Sequence, residues 1–239
     1  IPPASWRFPS GMSAFYNPLG YIALGLSCAF AVLEEWSLRE FCWSTWLASL
    51  AYSWACAASA SIRIILGARR EKAALEVRLG FLKEMPFATF FPAITLAALV
   101  AGWLAFYLYS YLFGFYGIFL SVFAEMEPHA LFGRNGFINS DFFTPVTYLL
   151  GNFWPMVAGT LLANAGDFVR GNPWQRFVPA HEILRMHVLA IGVPFLALIA
   201  WALFRDSYQQ PTIVVLMCLF YLMPKGRGRK PPEIGSGSA

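Results

Sequence analysis

Long apolar stretches, separated by charged or proline-containing segments, are the feature that most limits how this chain can fold. A helix needs about 20 apolar residues to cross the roughly 30 Å hydrocarbon core of a bilayer. Six runs approach or exceed that length: residues 18–36, 41–66, 86–124, 144–163, 186–204 and 207–223. The sequence therefore predicts an all-α fold, a polytopic transmembrane helix bundle with about six membrane-spanning helices.

The scarcity of charge supports this prediction. Charged residues make up 13% of the 239 residues, whereas an ordinary soluble domain has about 25%. So few charges could not cover a water-facing surface. The composition thus excludes a soluble enzyme, a disordered protein and a nucleic-acid binder, and it makes membrane lipids the expected partners.

The basic residues predict the orientation of the bundle. With six crossings and both termini in the cytoplasm, thirteen of the 17 Lys and Arg residues lie on the cytoplasmic side. Only Arg39, Arg134 and Arg205 lie on the other side, and Arg63 falls inside the second run. This asymmetry follows the positive-inside rule and predicts a multi-pass protein of the inner (cytoplasmic) membrane.

The third run, residues 86–124, would reach about 58 Å as one straight helix. It is either one tilted helix that projects from the membrane or two crossings that meet near residues 107–117. Two crossings would move the loop at 164–185 and the C-terminal basic cluster to the outer side, so the charge pattern favours one.

The chain is predicted to form a single integral-membrane domain, residues 1–234, and the Gly-Ser-Gly-Ser-Ala ending at 235–239 resembles a tag linker. The charged stretch 67–84 is expected to extend the second helix into the cytoplasm and to turn back near Gly80. Four cysteines lie far apart without zinc-type spacing. We expect them to be small buried hydrophobic residues, and the sequence predicts no cofactor.

Acidic residues collect on the predicted outer side, where they would attract cations. Together with a polar residue near the Pro155 kink and the arginine of the second run, they define a candidate path for an ion or small solute. Its residues are Glu34, Glu35, Glu125, Glu127, His129, Asn152 and Arg63. The outer acids form either an ordinary polar loop or a cation site, so whether a metal binds stays open.

Arg63 is costly inside an apolar run, and it must reach the interface or find a partner. It either snorkels, in which case leucine should be tolerated, or binds a lipid phosphate or a carboxylate. At the start of the fifth crossing, His181, Arg185 and His187 are candidates for lipid head-group binding; the alternative is hydrogen bonding at a helix end.

Small residues recur every four positions at Ala51, Ala55 and Ser59. Such stripes allow close helix contact in lipid, either within one chain or in a homodimer or larger membrane complex.

The C-terminal half carries a family resemblance in three short segments. The segments Leu161-Leu-Ala-Asn-Ala-Gly-Asp-Phe-Val169, Arg185-Met-His187-Val-Leu-Ala-Ile-Gly192 and Phe115-Tyr-Gly-Ile-Phe119 carry it. They resemble a domain-of-unknown-function family of prokaryotic multi-pass membrane proteins. Asn164 and Ala165 stand where members of that family often have a His-Gly pair, and Glu125 stands near the place of a histidine, so histidine-based chemistry does not carry over. The resemblance implies no activity and supports only the six-crossing layout.

No nucleotide-binding, zinc-protease or serine-hydrolase motif occurs, and no catalytic residue is predicted. These absences argue against those enzyme classes and not against every enzyme. We expect a non-enzymatic protein that handles an ion or small solute or serves as a membrane subunit. The alternative is an integral-membrane enzyme acting on a lipid at the cytoplasmic interface.

Overall fold

The computed structural model describes residues 18–77, 79–121, 143–178 and 180–222. Within these ranges the chain forms eight α-helices, joined by turns and short 3-10 segments. The helices are α1 (Pro18–Leu33), α2 (Leu38–Leu66), α3 (Ala68–Glu76), α4 (Phe87–Ser121), α5 (Phe143–Ala163), α6 (Ala165–Val169), α7 (Ala180–Phe204) and α8 (Gln209–Leu222).

Four helices are long and apolar enough to cross a membrane: α2, α4, α5 and the Ile183–Phe204 part of α7. Two shorter apolar helices, α1 and α8, accompany them. The predicted all-α class with membrane-length helices is confirmed for the described residues. Most side chains of α4 and α7 are not buried within the chain, and these apolar surfaces suit lipid contact.

Helix α2 is the centre of the bundle. All ten residues from 41 to 50 are buried, which requires neighbours on every side of this part of the helix. Its start is fixed by a capping box, in which the Ser37 backbone N–H donates to Glu40 Oε2 (2.5 Å) and the Glu40 N–H donates to Ser37 Oγ (3.4 Å). The sequence predicts that the second apolar run begins at residue 41, three residues after the observed start of α2 at Leu38.

Polar side chains of α2 fix its antiparallel packing on α4. Trp46 Nε1 donates to the Phe113 carbonyl (2.8 Å), and Ser61 Oγ donates to the Ala98 carbonyl (2.9 Å). Such bonds between helices hold the two elements in register, since apolar packing alone does not segregate helices from lipid.

Helix α4 is one continuous helix from Phe87 to Ser121, which answers the question the sequence left open for the third run. Its length is about 52 Å, well beyond the thickness of a bilayer core. Helix α5 is kinked: Phe153 has non-helical angles (φ −118°, ψ 19°) two residues before Pro155. Proline lacks the N–H for the Gly151 carbonyl and its ring crowds that carbonyl.

Two predicted boundaries need correction. The charged stretch 67–84 does not extend the second helix. Gly67 leaves the helical region (φ −91°, ψ 12°), and α3 begins after it as a separate helix, because glycine is a poor helix former. Helix α7 begins at Ala180, whereas the sequence placed the start of the fifth apolar run at residue 186, so Arg185 lies inside the helix.

Gly102 of α4 lies directly against Ser61 of α2. A Cβ atom at this position would overlap Ser61 Oγ, which bonds the Ala98 carbonyl. We predict that Gly102→Val lowers the free energy of unfolding by about 1–3 kcal/mol more than Gly25→Val, because only the former overpacks an interface. Gly25 has no atom within 4 Å of an added Cβ, so it controls for the propensity cost of valine. Thermal unfolding of both variants in detergent measures the difference, and equal losses would contradict the packing described here.

Candidate functional site

An open groove lies where the end of α2, helix α3, the start of α4 and the segment after α6 meet. It has a volume of about 850 Å³. The lining residues that matter for its chemistry are Arg63, Leu66, Arg69, Arg70, Glu71, Phe87, Phe91, Gly171, Asn172 and Trp174.

Arg63 forms one wall of this groove. Its Nη1 donates to the Arg170 carbonyl (3.1 Å) and its Nη2 to the Gly171 carbonyl (2.8 Å). Gly171 adopts φ 76°, a left-handed conformation that glycine takes without steric cost. The sequence could flag Arg63 as costly, but it could not supply these two partners 107 and 108 residues away.

Helix α3 is held against the same segment by Glu71. Trp174 Nε1 donates to Glu71 Oε2 (2.8 Å), and the Trp174 backbone N–H donates to Asn172 Oδ1 (3.0 Å). Lys72 forms an ion pair with Glu76 one turn along α3. Glu71 is the one acidic residue among those that line the groove, and its carboxylate accepts the hydrogen bond from Trp174.

The groove is positively charged and has an apolar rim. The Arg69 and Arg70 side chains are exposed, and the Arg69 guanidinium lies 5.5 Å from the centroid of the Phe87 ring. Leu66 is 82% exposed at the edge, and Phe87 and Phe91 are about two-fifths exposed. Three guanidinium groups beside apolar side chains can bind an anionic group that is attached to an apolar tail.

Helix α6 and the segment that follows it are anchored beside the middle of α2 and α4. Tyr52 Oη donates to Asp167 Oδ2 (2.9 Å), and Asp167 Oδ1 lies 3.8 Å from an Arg176 nitrogen. Tyr109 Oη donates to the Phe177 carbonyl (2.5 Å). These contacts position the groove wall, and the sequence analysis missed them. The one signal for them in the sequence is the acidic residue Asp167, which lies just after the predicted end of the fourth apolar run at residue 163.

The candidate ion path is only partly visible. Glu34 and Glu35 are exposed in the turn between α1 and α2. Asn152 is exposed and donates from Nδ2 to the Tyr148 carbonyl (3.2 Å) in its own helix. Glu125, Glu127 and His129 lie outside the described residues, and no group of three His, Cys, Asp or Glu side chains occurs among those described.

The described interior between α1, α2, α4 and α5 is filled by large side chains. Trp46, Phe41, Phe113 and Met156 are fully buried. Several buried hydroxyl groups bond carbonyls of their own helix, as Thr45 does with the Phe41 carbonyl. These residues line no continuous polar path within the described part of the bundle.

Of the candidate head-group residues, Arg185 and His187 contact different helices. Arg185 is 4% exposed and packs on α8, where its Nη1 donates to the Phe220 carbonyl (3.0 Å) and its guanidinium lies 3.7 Å from the Phe220 ring centroid. His187 is exposed and its Nδ1 lies 3.3 Å from Tyr116 Oη of α4. The His181 side chain is outside the described part.

No protein-family model, curated protein or solved structure matches the chain. The class of molecule that the groove accepts is therefore inferred from its residues and their geometry.

Replacing Arg63 tests how the groove wall is held. We predict that Arg63→Leu lowers the free energy of unfolding by roughly 1–3 kcal/mol, because two carbonyls lose a charged donor. Arg63→Lys should lose less, since it keeps the charge but not the two-pronged geometry. Ile62→Leu, at the neighbouring exposed position, is the control. If Arg63→Leu unfolds at the wild-type temperature in detergent, the arginine only snorkels and the wall does not depend on it.

Proposed function

We propose that this chain is a non-enzymatic, multi-pass inner-membrane protein that binds the phosphate head group of an anionic lipid in a groove at its cytoplasmic face. In this proposal it crosses the membrane six times, with both termini in the cytoplasm, and serves as a lipid-binding membrane subunit. The observation that carries the proposal is the set of three arginines beside the exposed side chains of Leu66, Phe87 and Phe91.

Contacts across the groove support the proposed orientation. Gly171 contacts Arg63, Trp174 contacts Glu71, and Arg69 contacts Phe87. The end of α2, the start of α4 and the segment after α6 thus lie at one end of the bundle. An even number of crossings must separate Phe87 from Gly171, and α4 and α5 supply two.

The chemistry of the groove matches the cytoplasmic interface of a bilayer. The inner leaflet carries anionic lipids, which attract basic residues near its surface. Arginine binds phosphate through parallel N–H donors. The exposed Leu66, Phe87 and Phe91 side chains would contact the acyl chains where these leave the head group, so a lipid satisfies both parts of the groove.

The other hypotheses find less support. Solute passage needs a polar path, whereas the described core is filled with aromatic and aliphatic side chains. Lipid chemistry needs histidine and arginine at one place, whereas Arg185 contacts α8 and His187 lies beside Tyr116 of α4. A membrane enzyme and an ion-handling protein therefore remain alternative predictions. The resemblance of the C-terminal half to a membrane-protein family also stays a prediction.

Removing the two exposed guanidinium groups tests the proposal. We predict that the Arg69→Gln/Arg70→Gln double variant binds phosphatidylglycerol about thirtyfold more weakly than wild type, because each basic residue contributes about 1 kcal/mol at an anionic surface. Native mass spectrometry of the detergent-purified protein, titrated with phosphatidylglycerol and with phosphatidylcholine, measures both affinities.

The matched control is Arg39→Gln/Arg205→Gln, which removes two arginines outside the groove. It should leave phosphatidylglycerol binding unchanged. Inorganic phosphate at the same concentration should compete poorly, because it lacks the acyl chains. Equal binding of both lipids by wild type, or equal loss in both double variants, would contradict a head-group site in the groove.

A further inference from the structure

The charge of the groove exceeds what one lipid phosphate needs. Among the described residues that line it, Arg63, Arg69 and Arg70 carry three positive charges and Glu71 carries one negative charge. The lining side chains therefore have a net charge of +2. A phosphodiester carries one negative charge, so a lipid with a single phosphate leaves part of this positive charge uncompensated.

The arginines lie against two different walls of the groove. The Arg63 guanidinium bonds the Arg170 and Gly171 carbonyls, whereas the Arg69 guanidinium lies 5.5 Å from the centroid of the Phe87 ring, at the start of α4. Phe87 and Gly171 both line the groove. Separate elements thus hold the cationic groups, and this arrangement provides two places for a phosphate.

Both places keep N–H donors for a ligand. A guanidinium has five N–H groups, and the two described bonds of Arg63 use one from each Nη atom. Arg69 and Arg70 are exposed, so their donors can reach the oxygen atoms of a ligand. Helix α3 also begins here without a side-chain cap at Gly67, and the positive end of a helix dipole favours an anion.

The size of the groove allows a second phosphate. Its volume is about 850 Å³, near the upper end of the roughly 300–1,000 Å³ that sites for drug-sized ligands occupy. One phosphate ester fills only a part of this space. Exposed apolar side chains border the groove on two helices, with Leu66 at the end of α2 and Phe87 and Phe91 at the start of α4. More than one pair of acyl chains therefore has an apolar surface to follow.

We propose that the ligand of the groove is a dianionic phospholipid in which a glycerol bridge joins two phosphodiester groups, as in cardiolipin. This inference rests on the head-group site proposed above and names its ligand. One phosphate lies beside Arg63 and the other beside Arg69 and Arg70, and together they balance the net charge of the lining side chains. Because the bridge joins the two phosphates, binding of the first raises the effective concentration of the second.

Competition between lipids with one and two phosphates tests the proposal. The detergent-purified full chain is titrated with cardiolipin, phosphatidylglycerol and phosphatidylcholine, and native mass spectrometry counts the lipids that stay bound. We expect one cardiolipin to displace two phosphatidylglycerols. Cardiolipin should bind at least about tenfold more tightly than phosphatidylglycerol, since linking two binding groups raises affinity by up to about 10²–10⁴-fold.

Variants of α3 show whether the preference arises in the groove. In the Arg69→Gln/Arg70→Gln variant, the ratio of the cardiolipin and phosphatidylglycerol affinities should fall toward one, because only the phosphate place at Arg63 remains. The matched control is Lys72→Gln, which removes a positive charge from α3 at a residue that does not line the groove. This control should keep the wild-type ratio.

The outcomes distinguish this proposal from the head-group site itself. If wild type prefers phosphatidylglycerol to phosphatidylcholine but binds cardiolipin no more tightly than phosphatidylglycerol, the two-phosphate ligand is wrong and the head-group site stands. If neither anionic lipid binds more tightly than phosphatidylcholine, both proposals are wrong. A cardiolipin preference that persists unchanged in the double variant would place the second phosphate outside the groove and overturn the proposal.

Discussion

The burial of α2 is the constraint on which the rest of the structure depends. In lipid, apolar packing alone does not hold helices together, so polar bonds and close contact must contribute. Trp46 and Ser61 bond carbonyls of α4, and Gly102 lets the two helices approach. Helix α2 therefore fixes the height of α4, and α4 carries Phe87 and Phe91 to the end of α2 where the groove opens.

The segment that follows α6 forms a wall of the groove, and the packed helices hold α6 and this segment in place. Tyr52 and Tyr109, both within long helices, bond Asp167 and the Phe177 carbonyl. Arg63 bonds the carbonyls of Arg170 and Gly171 at the edge of the bundle. The segment is thus held both at the middle of α2 and α4 and at the end of α2, and it places Asn172 and Trp174 in the groove opposite α3. Arg69 and Arg70 of α3 stay exposed beside it.

The sequence predicted the helices well and the site poorly, for physical reasons. Apolar runs and charged borders are local signals, so the helix positions were close to those observed. The break at Gly67 has a local cause, since glycine is a poor helix former. The start of α7 at Ala180 lies before the apolar run, because the helix continues through the charged residues Glu182 and Arg185. Arg185 was expected at a lipid surface, but its burial against Phe220 depends on α8, which the local pattern does not contain. The partners of Arg63 are likewise more than 100 residues away along the chain.

The central claim is that the basic groove lies on the cytoplasmic side of a bundle that crosses the membrane an even number of times. Single-cysteine variants at Lys72, Ser207 and Lys230, in a chain lacking its own four cysteines, test this directly with a membrane-impermeant maleimide. Lys72→Cys and Lys230→Cys should react only in inside-out vesicles, and Ser207→Cys only in intact cells. Labelling of Lys72→Cys from outside, or of Lys72→Cys and Lys230→Cys from opposite sides, would contradict the account.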